Sequence, residues 1–571
     1  MNRRSALISA IFIVLLLVII LFQVLSMIQS DRLYKRLNEI AGVKSEDKSV
    51  EKKIDITGDT GKDYGGWLVW GLSAEPRTLN PISEDYDMSS VYICGRKVFE
   101  TLFYYDLDYN GVKLEPVLAE SMHVSDNGLE VTVKLKKNIW FSDGVPVTAD
   151  DVIFTYNTIM DPGIDAESTR SYFSSVKTLV KVDDRTVKFI LKQVFWKNLE
   201  TIGTMYILPK HIYKYKNPEE FNNRISNPVG SGPYVFEKWD VGQQIVLRRN
   251  DNYWGKKPAL DKFVFKFITN ETAEIQALRA HDIDYMEPTS AQYAKFSNDP
   301  GFRKEFRVLA YWNPAGGFSY IGWNQARVYF KDKRVRLALT MGINRESIAT
   351  NIGHGYSKII TGPFYINGKQ YDPNIKPWPY DPQRSRKLLD EAGWIDSNGD
   401  GIRDKNGIEF KFKLSYPSGS PTYEEIVEAI KDDLARIGVD MVPDPVEWSI
   451  FLNKMHDGDI DAALSGWAGD IEMDPYQLFD SSQMKGSNYY GINNKDMDAL
   501  IEKARRTLEP EKRYELYHRF DRLVHQLQPY TFLFTRKTFV FLDNRFENVK
   551  IHALGLDPLE WYVPKDKQRY K

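Results

Sequence analysis

Residues 410–443 limit the possible folds more than any other stretch. Phe410, Phe412 and Leu414 alternate with polar residues as a strand does. Thr422 to Ile437 then repeats apolar residues at helical spacing (Ile426, Val427, Ile430, Leu434, Ile437) and stops at Gly438. Val439–Pro443 returns as a strand. A strand, a helix and a returning strand imply a parallel pair with a right-handed crossover, hence an α/β lobe. The helices predicted on either side, one opened by Asp381–Pro382 and two at 495–508 and 510–527, extend that alternation.

The first half follows another rule. Val131, Val133 and Leu135 alternate with polar residues, and Val180–Val182 and Val187–Leu191 flank Asp183–Asp184–Arg185 as a hairpin. Between them Thr148, with Asp151 three residues on, caps a helix carrying Val152, Phe154 and Ile159. A longer helix is predicted from Ser89 to Phe103, with the single cysteine, Cys94, as a buried small residue. One β-rich and one α/β region fit a chain of 571 residues, too long for a single core.

Charge excludes some partners. A net charge of −2 gives no basis for binding nucleic acid. One cysteine excludes an intramolecular disulfide and a cysteine-based zinc site. The loop Asn227–Tyr234 lacks the third glycine and the Lys–Ser/Thr ending of a phosphate cradle. No Gly-x-Ser-x-Gly, His-Glu-x-x-His or reactive-cysteine context is present, so an enzyme is not expected.

The N-terminus carries a location signal. Arg3 and Arg4 precede an uncharged apolar run from Ala6 to Leu25, which as a helix spans roughly 30 Å. Positive charge before it puts the remainder outside the cytoplasm. The small residues of Ser26–Ser30 do not fall at a cleavage spacing, so an uncleaved anchor (1–30) is favoured over a cleaved signal, followed by a charged tether (31–64).

Gly466–Trp467–Ala468–Gly469–Asp470 follows a short apolar strand. An indole and a carboxylate three residues apart suit a ligand with apolar area and an amine, although a polar loop with one buried tryptophan is the simpler alternative. Asp396, Asn398, Asp400 and Asp404 stand at positions 1, 3, 5 and 9 of a calcium-type loop with glycine at position 6. Position 12 is Gly407 instead of glutamate, so a tight loop is the leading reading, with weak calcium binding as the alternative and no other cofactor expected. His518 and His525, seven apart on one helix, have no further ligand in sight.

Seven segments occur in an order that resembles the oligopeptide/dipeptide/nickel-binding family of extracellular solute-binding proteins, the receptors of ABC importers. They are Glu75–Pro81, Phe99–Leu102, Glu115–Ser121, Trp140–Val152, Gly230–Tyr234, Asn250–Trp254 and Asp332–Leu339. The resemblance implies a two-lobed periplasmic-binding-protein-like clamshell of class II, with an extra β-rich subdomain in the first lobe. Together with the N-terminal transmembrane helix this gives lobe I as 65–97, 225–312 and 533–571, the subdomain as 98–224, and lobe II as 313–532. It implies crossings between lobes near Val308–Ser319 and near Phe532–Thr535, which act as a hinge. It also implies a monomer that captures a solute, most readily a peptide, and delivers it to a membrane permease. Asp470 is then the partner of a ligand amine, Trp467 packs on the ligand, and Gly466 and Gly469 shape the loop. Some relatives carry arginine three residues before that tryptophan, where this chain has Leu464, so recognition of a ligand carboxylate is not implied. Oligosaccharide, a nickel complex or haem remain alternative cargoes on this fold, and a membrane-tethered signalling receptor an alternative role.

Overall fold

The computed structural model describes residues 65–109, 111–224 and 226–570. The predicted anchor (1–30) and tether (31–64) lie outside the described residues. Among the described residues no helix is long and apolar enough to cross a membrane.

Two mixed sheets organise the chain. The first has seven strands, in the order Phe306–Tyr311, Thr538–Asp543, Tyr285–Met286, Trp67–Leu72, Lys262–Phe267, Gln244–Arg249 and Tyr234–Asp240. The second has six: Ser357–Ile359, Tyr530–Arg536, Phe318–Trp323, Ala462–Trp467, Lys411–Pro417 and Asp440–Val446. Lys411–Pro417 and Asp440–Val446 run parallel on either side of the helix Pro421–Ala435, whose Ile426, Val427, Ile430 and Leu434 are buried. The two strands and the helix between them thus form the predicted strand–helix–strand unit.

A four-stranded antiparallel sheet (Ala119–Val124, Glu130–Leu135, Thr186–Leu191, Val176–Asp183) adds to the first sheet. Along Glu130–Leu135 the burial alternates, with Val131, Val133 and Leu135 inward. Thr148 and Asp151 form the predicted capping box at the start of Ala149–Met160, with Asp151 Oδ2 accepting the Thr148 N–H at 2.8 Å. Val131 and Phe189 of this small sheet share one apolar core with Trp70 and Phe263 of the large one, so the two pack as one body.

The helix predicted from Ser89 to Phe103 is shorter. It covers Met88–Cys94, ends at Gly95, and Arg96 follows with φ +59°. The apolar residues that continued the stripe, Val98 and Leu102, are buried from an irregular segment instead. Cys94 is buried and free.

The two large sheets are joined twice. Phe306–Tyr311 of the first leads through residues 312–317 into Phe318–Trp323 of the second, and Tyr530–Arg536 of the second leads through Lys537 into Thr538–Asp543 of the first. Both connections are short and lie side by side, since Thr535 Oγ1 donates to the Gly317 carbonyl at 2.8 Å. Short paired linkers allow rotation of one sheet against the other with little repacking.

Candidate functional site between the lobes

The strand Ala462–Trp467 ends at the gap between the two sheets, and the glycine-containing turn after it lies on the first linker. The Gly469 N–H donates to the Ala315 carbonyl at 3.2 Å. A methyl group at Gly469 would stand 2.0 Å from the Pro314 carbonyl oxygen, and one at Gly317, where φ is +70°, 1.9 Å from that of Trp467. Glycine is required here because two backbones touch.

Trp467 is half-buried in an aromatic stack. Tyr320 lies parallel at 6.5 Å between ring centroids and Tyr489 at 5.8 Å. Three residues on, Asp470 opens an acidic run in which every second residue is a carboxylate with its own cation. Asp470 pairs with Lys197, Glu472 with Arg513 at 3.1 Å and Asp474 with Arg505 at 3.0 Å. Arg505 and Arg513 come from the same lobe as the run. Lys197 comes from the other side of the cleft.

Lys197 reaches the run because the preceding residues are inserted into the second lobe. Phe195 and Trp196 belong to the core that contains Tyr320, Phe364 and Tyr517. The Trp196 backbone N–H donates to the Arg505 carbonyl at 3.0 Å, and the guanidinium groups of Arg505 and Arg513 lie 4.5 Å over the rings of Phe195 and Trp196. Gln477 adds a bond to the Ser168 carbonyl at 3.0 Å. These contacts bridge the two lobes in this structure.

Behind this contact is a cavity of about 300 Å³. Its apolar walls include Ile82, Ile159, Tyr172 and Phe173, and its charged end is made by Lys197, Glu200 and Asp470. The Lys197 ammonium uses all three donors: on Asp470, on the Glu472 carbonyl at 2.7 Å and toward Glu200 Oε1 at 3.4 Å. Burial works to lower its pKa, but Asp470 and Glu200 outweigh that and hold it well above the ordinary lysine value. Glu200 Oε1 also accepts the Tyr105 hydroxyl at 2.8 Å. Burial pushes the Glu200 carboxyl up to about 7, against the pull of Lys197.

A second cavity of about 190 Å³ is lined by Tyr92, Tyr285, Tyr311, Glu287 and, from the linker, Asn313. Tyr206 lines both cavities, so they are neighbours along one cleft.

Of the four residues predicted to contact ligand, Asp470 lines the first cavity, whereas Trp467, Gly466 and Gly469 line neither. Lys197, Glu200 and Tyr105 were not anticipated. Their sequence signal is slight, because Lys197 and Glu200 three apart read as an ordinary exposed helical pair. The Phe195–Trp196 doublet just before them was the available clue to burial.

In the calcium-type loop the carboxylate of Asp396 accepts the N–H groups of Gly399 and Gly401 at 2.7 and 3.0 Å. Asp404 faces Ser397, with the Oγ donor 2.7 Å away, and Asn398 donates to Asp400 at 2.8 Å. Among the described residues no group of three or more His, Cys, Asp and Glu is arranged to hold a metal. The two helix histidines diverge: His518 meets the Lys369 carbonyl at 3.0 Å, and His525 stacks on Trp378 at 5.0 Å.

Comparison with known proteins identifies the family and the fold. The family model of bacterial extracellular solute-binding proteins, family 5, matches residues 113–490. The oligopeptide-binding protein AppA of Bacillus subtilis is 32% identical over 535 residues, covering 90% of this chain and 94% of that protein. Its structure with a nonapeptide superposes with a TM-score of 0.81 at 31% identity, over 88% of this chain and 100% of that one. DppA of Helicobacter pylori with the peptide STSA gives 0.75 at 26% identity, over 88% and 99%. NikZ of Campylobacter jejuni with Ni(L-His) gives 0.75 at 25%, over 87% and 99%.

Proposed function

The chain belongs to the family 5 bacterial extracellular solute-binding proteins, and we propose that its cargo is a peptide delivered to an ABC permease. It is a solute-binding receptor and not an enzyme. The observation that carries the peptide reading is a cavity of the first lobe, walled by aromatic rings and ended by Lys197, Glu200 and, from the second lobe, Asp470, beside a second cavity that shares Tyr206. Aromatic walls accept varied side chains, and a charged end fixes one terminus. Similarity to AppA and DppA, whose structures hold peptides, supports the same choice.

In this reading Asp470 meets the amine end of the ligand and the partly exposed edge of Trp467, beside Tyr489, contacts the chain that follows. Ligand contacts to both lobes exist only in the closed form, so binding favours closure and closure favours the permease. The apolar run Ala6–Leu25 tethers the receptor to the outer face of the cytoplasmic membrane, and the receptor acts as a monomer. Detergent-free fractionation that recovers the full-length chain in the supernatant would remove the tether. A metal chelate is the second reading, favoured by the match to NikZ.

Calorimetry with a pool of short peptides, set against an oligosaccharide pool and nickel–histidine, tests the cargo class. Heat of binding with peptides alone is expected. Saturable binding of either other class, with none for peptides, overturns the proposal.

A further inference from the structure

The second cavity is an aromatic box with a carboxylate in its wall. Trp70, Tyr92, Tyr206, Tyr285 and Tyr311 line it, and the Trp70 ring packs on Tyr92 and Tyr285 at 5.1 and 4.1 Å between centroids. Glu287 follows the strand Tyr285–Met286, is exposed and lines the same space. Two hydroxyls converge on one of its oxygens: Oε1 accepts from Tyr285 at 3.1 Å and from Tyr92 at 3.3 Å. They fix the direction of the carboxylate and leave Oε2 its lone pairs. Among the described residues no donor is placed on Oε2 and no cation pairs with Glu287.

The cations of the cavity are engaged elsewhere. Arg96 pairs with Asp557 at 2.8 Å, with its guanidinium 4.3 Å over the Tyr104 ring. Lys97 donates to the Tyr92 carbonyl at 2.6 Å and lies 5.3 Å from the Phe263 ring. Burial among the rings raises the Glu287 carboxyl against the pull of Tyr285, Arg536 and Tyr92. Arg536, exposed at the end of the hinge strand Tyr530–Arg536, acts on it through space and not through a hydrogen bond. A carboxylate with one oxygen held and the other free, framed by electron-rich ring faces, is arranged to receive a cation.

We propose that Glu287 makes the second cavity a specificity subsite for a basic side chain of the peptide, arginine above all. The guanidinium donates to Oε2 and lays its plane against the tyrosine rings. This rests on the peptide reading and concerns a side chain, not a terminus. In that reading the amine end meets Asp470 in the first cavity, and Tyr206, which lines both cavities, sets the second one further along the same cleft. The cavity of about 190 Å³ admits one long side chain. An acidic side chain there meets Glu287 as a like charge, and a neutral one leaves the carboxylate without a counter-ion.

Two pools of short random peptides, identical except that one carries arginine where the other carries its neutral isostere citrulline, are passed over the immobilised protein. All have free amino termini, and retained peptides are measured by mass spectrometry. The wild-type chain is expected to retain the arginine pool at least about 10-fold more. Glu287→Gln keeps the acceptor for Tyr92 and Tyr285 and is expected to abolish that preference while retaining the citrulline pool as wild type does. Matched melting curves establish that the variant is folded. Equal retention of the two pools by wild type overturns the subsite and leaves the peptide reading intact. A preference that survives Glu287→Gln overturns the role of Glu287. Equal weakening of both pools in Glu287→Gln assigns the carboxylate to closure against Arg536 and overturns the subsite as well. Retention of neither pool by wild type contradicts the peptide reading itself and removes the inference with it.

Discussion

The Trp196 indole donates a hydrogen bond of 3.0 Å to the Tyr517 hydroxyl, although the two residues come from opposite sides of the cleft. Both are buried, and Trp196 lies in the core of the second lobe. Closure therefore uses contacts of the protein's own as well as those of the cargo. Opening must expose Phe195 and Trp196, so the balance between open and closed forms depends on them.

Trp196→Ala removes the larger of these contacts. A buried tryptophan cut to alanine costs about 3–5 kcal/mol, and here much of that falls on the closed form alone. Small-angle scattering of the unliganded variant is expected to give a larger radius of gyration than wild type, with cargo affinity at least about 10-fold weaker. An unchanged radius and affinity would show that these contacts persist in the open form.

Lys197→Met deletes the internal cation and leaves Asp470 and Glu200 facing each other. Two close carboxylates then favour a cation from the ligand, so discrimination between free and acetylated amino termini is expected to rise, by about 10-fold. Titration calorimetry with one retained peptide and its acetylated twin reads this directly. Loss of discrimination would mean that Lys197, and not the carboxylates, meets the ligand.

Asp470→Ala removes one acceptor and strips Lys197 of its main partner. Amine-bearing ligands are expected to bind about 10-fold more weakly or worse. Calorimetry that finds the affinity unchanged would remove Asp470 from the site.

Gly469→Ala places a methyl group 2.0 Å from the Pro314 carbonyl oxygen. The linker and the turn must part, which is expected to lower stability by at least about 2 kcal/mol in denaturant titration. A variant as stable as wild type would show that the two backbones are not held together.

Stability is expected to fall as pH rises through neutrality. Burial pushes the carboxyls of Glu100, Glu200, Glu274 and Asp521 up to about 7. Between the ordinary carboxyl range near about 4 and that value, the folded chain keeps protons that the unfolded chain has released, so their stabilisation is complete at the acid end and lost as pH passes 7. His525, held down to about 4 by burial, acts in the opposite direction over about pH 4 to 6.5, one group against four. The Tm near about pH 5.5 should exceed that near about pH 8 by a few degrees. A flat or rising Tm over that interval contradicts these assignments.

Sequence pattern was sufficient where one side of an element meets solvent. Val131, Val133 and Leu135, or Ile426 to Leu434, show their buried face by period alone. It overran at Val98 and Leu102, since apolar spacing continues past Cys94 while the backbone turns at Gly95 and Arg96. At the site, Asp470 was legible because it follows a tryptophan in a glycine turn. Lys197 and Glu200 were not, because their environment is made by the Phe195–Trp196 insertion into a core far away in sequence. The need for glycine at 469 was not legible either, because it is set by the linker carbonyl of Pro314, far away in sequence.

The most direct measurement is mass spectrometry of the small molecules released when the purified, natively loaded protein is unfolded. The account predicts short peptides with free amino termini, at a stoichiometry near one per chain. Release of an oligosaccharide, haem or a nickel chelate in their place would contradict it.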